Sequence, residues 1–308
     1  MPSLFSLGKS KTKHQGQPSP SAPPEWAPAP ETSHQFGLKN EAPEQEFEAA
    51  EEFCATYSVE PPRLLATNII ERINTVGCKV WGLETPRLSR FIGNIRNPED
   101  AKNGDTVTRV ETSPLCGDSC ILSNYPLVAG LYEIQGKQGV YYEITIIEMI
   151  EEGFVAVGTA CRPYPEYRLP GWNRLSAGLH LDDMRKFFED PCGGRDYVPD
   201  NTIRPGSGDT VGCGFGFQTG TIFFTYNGMR LSDAFTGVYL PRTKQDVYAA
   251  VGVSGAVKIN VNFGGDCFRW PEGNEWSWRV EGQVGGNLGA TIEGPEGEDL
   301  PSYGEASS

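Results

Sequence analysis

Residues 208–237 read "GDTVGCGFGFQTGTIFFTYNGMRLSDAFTG". Two short runs rich in β-branched and aromatic residues, "TVGCGFGF" and "TIFFTY", are separated by a glycine-containing break. Asn227-Gly228 then stands between the second run and "MRL". Asn-Gly tolerates the positive φ angles of a two-residue reversal, so it is a strong local signal for a β-hairpin. No 3.6-residue period runs through the stretch, and an antiparallel sheet is the expectation.

The same texture extends from about Ile121 to Gly264. "VYYEITII", "GFVAVGTAC", "DVYAAVGVS" and "VKINVNF" are further short runs bounded by Gly, Pro or polar turn residues. In the last of them Ile259, Val261 and Phe263 alternate with Lys258, Asn260 and Asn262, which predicts one buried and one polar face. Many short strands with frequent turns predict an all-β protein built as an antiparallel two-sheet sandwich. No internal repeat is visible.

Composition differs on either side of that region. Residues 1–40, with "GQPSPSAPPEWAPAPE", are Pro-rich and read as disordered. Residues 41–120 read as a helical and irregular extension that packs on the sandwich. In "EAPEQEFEAAEEFCATY" one helical face carries Phe47, Ala50, Cys54 and Tyr57, with carboxylates opposite. A second helix is predicted at "TNIIERINTVG", started by a capping box between Asn68 and Glu71 and stopped by Gly77. Residues 121–280 hold the sandwich and its C-terminal extension, and 281–308 form a Gly- and Glu-rich tail of flexible-linker composition.

Charge narrows the partners. The net charge is −14. Seven carboxylates between Asn40 and Glu60, and six between Glu281 and Ser308, are unopposed by Lys or Arg. Such segments repel nucleic acid, and no basic stripe compensates. The best apolar run, "YYEITIIEMI", is broken by Glu143 and Glu148, so no direct membrane insertion is expected. "MPSLFSLGKSKTKHQ" is too short in apolar residues for a secretory leader. Eight scattered cysteines do not make a disulfide scaffold. A cytoplasmic, reducing location follows.

Enzymatic signatures are weak. The glycines of "GSGDTVGCGFGFQTG" lack the strand–loop–helix context of a dinucleotide site and fit strand bends and close sheet packing better. "GKS" at Gly8 lacks the upstream glycine of a phosphate loop. Cys116 and Cys120 have no second pair, and only His14, His34 and His180 could join them, so no metal site is expected. His180 has no nucleophile-elbow sequence nearby, and Asp182-Asp183 reads as a loop cap. The expectation is a non-catalytic chain without a cofactor.

At "YRLPGWNRLSAGLHLDDMRKFF", at the opening stretch, at "VYAAVGV" and at "INVNFGG" the chain resembles a SPRY domain. The G-D-x-V-G-C strand, the F-F-x-x-N-G hairpin, the A-F-x-G that follows and the closing V-N-F-G occur in register over about half the chain. "RLPGW" with H-x-D-D resembles the Ran-binding-type subgroup and fungal adaptors of WW-domain HECT ubiquitin ligases. "PPEWAPAPE" and "NEWSWRVEG" resemble the fungal proteins in particular. The resemblance implies a bent β-sandwich without enzymatic activity, whose loops bind a peptide of a client protein. Carried onto this sequence, that surface draws on Arg162 to Trp172 and on His180, Asp182 and Arg185. Within "RPYPEYRLPGW", Tyr164, Tyr167 and Trp172 lie among stiffening prolines, the rigid aromatics that binding surfaces favour. Tyr164 and Tyr167 are expected to be exposed, and Trp172 either joins them or plugs one end of the sandwich.

The tail "GEDLPSYGEASS" contains Leu300, Pro301 and Tyr303 in the L-P-x-Y variant of a WW-domain ligand. A proline-set extended backbone and one tyrosine are what an aromatic WW groove takes. The resemblance thus implies an adaptor that brings a WW-domain HECT ubiquitin ligase to a client, for endosomal or vacuolar sorting of membrane proteins. The membrane anchor common in that fungal group, and the helices that accompany Ran-binding-type members, are not expected here. The alternative is a structural scaffold whose SPRY domain docks one fixed partner.

Overall fold

The computed structural model describes residues 43–100, 104–134, 136–150, 152–198 and 203–284. The chain divides into two units, 1–32 and 33–308, and all described residues belong to the second. Among the described residues, thirteen strands form two antiparallel sheets. The first sheet orders β1 (Gly93–Arg96), β2 (Thr108–Thr112), β13 (Val257–Asn262), β4 (Gly139–Met149), β9 (Thr210–Gly216), β10 (Thr221–Tyr226) and β11 (Met229–Phe235). The second orders β3 (Ser119–Leu122), β12 (Val247–Ser254), β5 (Phe154–Cys161), β6 (Ser176–His180), β7 (Arg185–Phe188) and β8 (Arg195–Asp196).

Period-two alternation builds the core between the sheets. Val140, Tyr142, Ile144 and Ile146 of β4 meet Val155 and Val157 of β5 and Val251 and Val253 of β12 in one buried cluster. β13 behaves as its alternation predicts: Ile259, Val261 and Phe263 are buried, while Lys258 reaches solvent. Asn227 and Gly228 adopt φ values of 48° and 85°, and Tyr226 pairs with Met229 across the reversal.

The outer faces are covered as well, which is why β5 is buried at every position and its sequence is continuously apolar. Over the first sheet, Phe268, Trp270 and Trp278 of the segment after β13 cluster with Tyr141 and Phe223. Gly212 and Gly214 clear space for that layer: a Cβ on them would stand 2.0 Å from Tyr141 Oη and 2.2 Å from the Phe223 ring. Over the second sheet, the β5–β6 loop folds back so that Leu169 and Trp172 pack on Phe154, Ala156 and Phe187.

Two differences from the sequence reading concern residues 41–120. The helices form as α1 (Glu44–Thr56) and α2 (Thr67–Val76), but the same stretch also supplies β1, β2 and β3, so the sandwich begins well before residue 121. α2 starts after Ala66 with no side-chain cap, so Asn68 lies inside the first turn and the capping box with Glu71 does not form. Gly77 ends α2 at φ 64°, as expected. On α1, Ala50 is buried and Phe47 and Cys54 half-buried, whereas Tyr57 is exposed.

Candidate docking face

The β5–β6 loop, residues 162–175, is held by ties within itself. The Tyr164 hydroxyl donates to Leu169 O (2.6 Å) and accepts from the Asn173 N–H (3.3 Å). Gly171 N–H donates to Ser176 Oγ (2.6 Å) and Arg168 N–H to Pro165 O (3.0 Å). Tyr164 is therefore an internal brace, 4% exposed, with its phenol pushed well up by burial. This corrects the expectation that it projects to solvent. A tyrosine in a proline-stiffened turn buries its ring when its hydroxyl finds a backbone partner there. Tyr167, also expected to be exposed, is half-buried, with Cys54 and Glu46 of α1 as electrostatic neighbours.

The loop also seals the edge of the second sheet. Cys120 N–H on β3 donates to Glu166 O (2.7 Å), and Leu122 O accepts from Glu84 N–H (2.9 Å). These two backbone groups are used, so a partner cannot add a strand through them. Between loop and edge lies a half-open groove of about 290 Å³. It is lined by Pro86 and Leu88, by Pro163, Tyr164 and Tyr167 of the loop, by Phe53 of α1, and by the carboxylates Glu60, Glu84 and Glu166. Arg162 lies within it: Nη2 donates to Ser123 O (2.7 Å) and pairs with Glu84 (2.9 Å), and the guanidinium lies 4.4 Å over the Tyr248 ring.

The remaining predicted site residues lie elsewhere. Trp172 is 4% exposed and plugs the outer face of the second sheet. His180 is buried in a box of Phe154, Trp172 and Phe187, stacked on Phe187 at 4.0 Å, and its Nε2–H donates to Pro170 O (3.0 Å). Burial lowers its pKa to about 4, so the ring is neutral and inaccessible to a peptide. Asp182 is exposed and Arg185 half-buried at the β6–β7 turn, the opposite end of β6 from residues 162–167. Arg185 is used locally, with Nε donating to Asp196 (3.1 Å) and Nη1 to Gly193 O (3.0 Å). One predicted face thus separates into a groove with Arg162, Tyr164 and Tyr167, a packed pair of Trp172 and His180, and a distant turn with Asp182 and Arg185.

Residues that sequence reasoning passed over join α1 to the loop. Glu46 pairs with Arg90 through both carboxylate oxygens (2.7 and 3.3 Å). Asn173 Nδ2 donates to Glu51 (3.2 Å), and the Arg174 guanidinium donates to the carbonyls of Cys54 and Tyr57 at the C-terminus of α1. A cation there satisfies carbonyls the helix leaves unpaired. These arginines lie among ordinary loop residues in the sequence, and no spacing marks them.

Among the described residues there is no group of three or more His, Cys, Asp or Glu that could hold a metal. The thiols of Cys120, Cys161 and Cys213 are pushed up by burial, away from thiolate chemistry. No helix among the described residues is long and apolar enough to cross a membrane. Leu300, Pro301 and Tyr303 lie outside the described residues.

The SPRY domain family model matches residues 139–266. Protein ssh4 of Sclerotinia sclerotiorum is 32% identical over 180 residues, covering 58% of this chain and 31% of that protein. The SPRY domain-containing protein C285.10c of Schizosaccharomyces pombe is 31% identical over 190 residues, covering 61% of this chain and 45% of that protein. The match thus spans less than half the length of either relative. A human SPRY domain crystal structure aligns over 52% of this chain and 93% of its own, at 23% identity and a TM-score of 0.39.

Proposed function

We propose that this chain is a non-catalytic adaptor that binds a client peptide in the groove between the β5–β6 loop and β3 and recruits a WW-domain HECT ubiquitin ligase through Leu300, Pro301 and Tyr303. The observation that carries the docking half is the groove itself: a preformed trough lined by prolines and aromatic rings, part of it from residues 162–167 within the SPRY family match. Rigid walls of this kind lose little entropy when a peptide settles between them. Tyr167 is the side chain with ring surface free for a visitor, while Tyr164 and Arg162 hold the wall behind it. The L-P-x-Y tail supports the recruitment half, as does likeness to proteins named ssh4. In this reading the chain works in the cytoplasm and reaches endosomal or vacuolar membranes by holding a membrane-protein client.

Affinity purification of the full chain beside Tyr167→Ala and Tyr303→Ala variants tests both halves. Tyr167→Ala is expected to lose the client and keep the ligase, and Tyr303→Ala the reverse. Equal recovery of WW-domain ligase with Tyr303→Ala sinks the recruitment half. Equal recovery of every partner with Tyr167→Ala sinks the docking half.

A further inference from the structure

α1 lies across the β5–β6 loop with little apolar burial to hold it. Ala50 is its one buried residue among those described, and Phe47 and Phe53 are half covered. What fastens it is polar: Glu46 on Arg90, Glu51 on Asn173, and its C-terminal carbonyls on Arg174. Beneath it sits Arg168, 1% exposed. The Arg168 guanidinium lies 4.4 Å over the Trp172 ring and its Nε donates to Asn173 Oδ1 (3.0 Å). Its Nη1 is shut away from water with no hydrogen-bond partner. Tyr164, Glu46, Asp118 and Tyr167 share an electrostatic interaction with it, as does Cys54 on α1.

A buried cation with an unfilled donor costs stability, and an apolar side chain of similar volume would serve the fold at least as well. Arg168 is therefore placed for something other than packing. Arg90 holds Glu46 near the start of α1 and Arg174 holds carbonyls at its end, with Arg168 beneath, and the helix itself carries five glutamates. We infer that the patch beneath α1 is a second docking site, for an acidic segment of a partner protein, and that α1 keeps it closed by imitating that segment. A partner carboxylate reaching Arg168 supplies the fork-shaped pairing that Glu46, committed to Arg90, does not. Closure by a tethered helix lowers the apparent affinity by the fraction of time the patch is open, so the site selects partners able to outcompete α1. The inference goes beyond groove docking and is independent of ligase recruitment, because the tail takes no part in it.

The test uses the full chain and a fluorescein-labelled peptide with the sequence of residues 43–57 as probe. Ala50→Arg and Arg174→Ala are the variants that release α1, and hydrogen exchange across residues 44–56 reads the release. The released Ala50→Arg chain is expected to bind the peptide at least about tenfold more tightly than wild type, and adding Arg168→Met returns binding to the wild-type level. A probe with every Glu replaced by Gln is expected not to bind. Arg168→Met alone is expected to melt at or above the wild-type temperature. Protection of α1 persisting in both release variants overturns the inference, as does binding that ignores Arg168→Met. So does a melting temperature for Arg168→Met more than about 10 °C below wild type, which would make the residue structural. Client retention by wild type and Tyr167→Ala is read separately, so failure here leaves the groove reading standing.

Discussion

His180 shows how a residue that looks chemical from its neighbours in sequence becomes structural in the fold. Its ring is enclosed by three aromatic side chains, and its Nε2–H is spent on Pro170 O. Burial lowers its pKa from 6.5 to about 4, so the native state favours the neutral ring. Above pH 6.5 folded and unfolded chains are both neutral there, and the full stabilisation is present. As pH falls from 6.5 to about 4, the unfolded chain takes up a proton the native chain refuses, and stability is lost. A shift of this size corresponds to about 3 kcal/mol. Asp183 works in the opposite sense: burial and the neighbouring Asp182 push it up to about 6, so acidification relieves it. The prediction is therefore a difference. His180→Gln keeps an N–H for Pro170 O but cannot titrate, and its urea stability should fall less than wild type between pH 7 and pH 4.5. Equal losses in the two proteins would show that the ring is not held neutral. Tyr164 and Tyr167 carry the complementary lesson. Their place among prolines predicts exposure for both; Tyr164 is buried and Tyr167 half-buried, and two tyrosines three positions apart are told apart only by which hydroxyl finds a backbone carbonyl within the folded loop.

The β5–β6 loop depends on glycine at places where the chain runs close to itself. A Cβ on Gly178 would lie 2.2 Å from Pro170 O and 2.7 Å from its carbonyl carbon, backbone atoms that cannot swing aside. Gly178→Ala is expected to cost about 3 kcal/mol by overpacking and to loosen residues 166–174 in hydrogen exchange. Gly216→Ala is the control: the nearest atom to its Cβ would be 3.8 Å away, so a loss within about 0.5 kcal/mol is expected. Equal costs at the two positions would remove the case for close approach. Such glycines were legible as a class, because "GSGDTVGCGFGFQTG" reads as sheet packing rather than phosphate binding. The elements with strong local signals were legible individually: the Asn227-Gly228 reversal, the alternation of β13 and the Gly77 stop. β1 was not, because "GNIR" is short and mostly exposed, an edge strand made by its pairing with β2 and not by its own composition. Arg168 was invisible for a related reason, since nothing local distinguishes an arginine that will be buried under a helix 110 residues earlier in the chain.

Both sheets are wrapped on their outer sides, and this confines where the molecule can meet others. The loop covers the second sheet and the segment after β13 covers the first, while the groove beside β3 stays half-open. The family match ends at residue 266, yet the covering layer comes from Phe268, Trp270 and Trp278, beyond that limit. Trp278 packs edge-on against Phe223 at 5.5 Å and against Trp270 at 5.0 Å, and a Cβ on Gly139 would strike its ring at 2.3 Å. The sandwich is therefore shaped to take this layer and is incomplete without it. Trp278→Ala should cost about 3–5 kcal/mol, the usual price of removing a large buried aromatic. A chain ending at residue 266 should do worse, because Tyr141 and Phe223 would face water side by side. Its expected signature is a broad, non-cooperative melt and binding of a hydrophobic dye, against a single sharp transition for the full chain. A sharp, dye-free melt from the chain cut at 266 would show the layer to be an ornament of the fold.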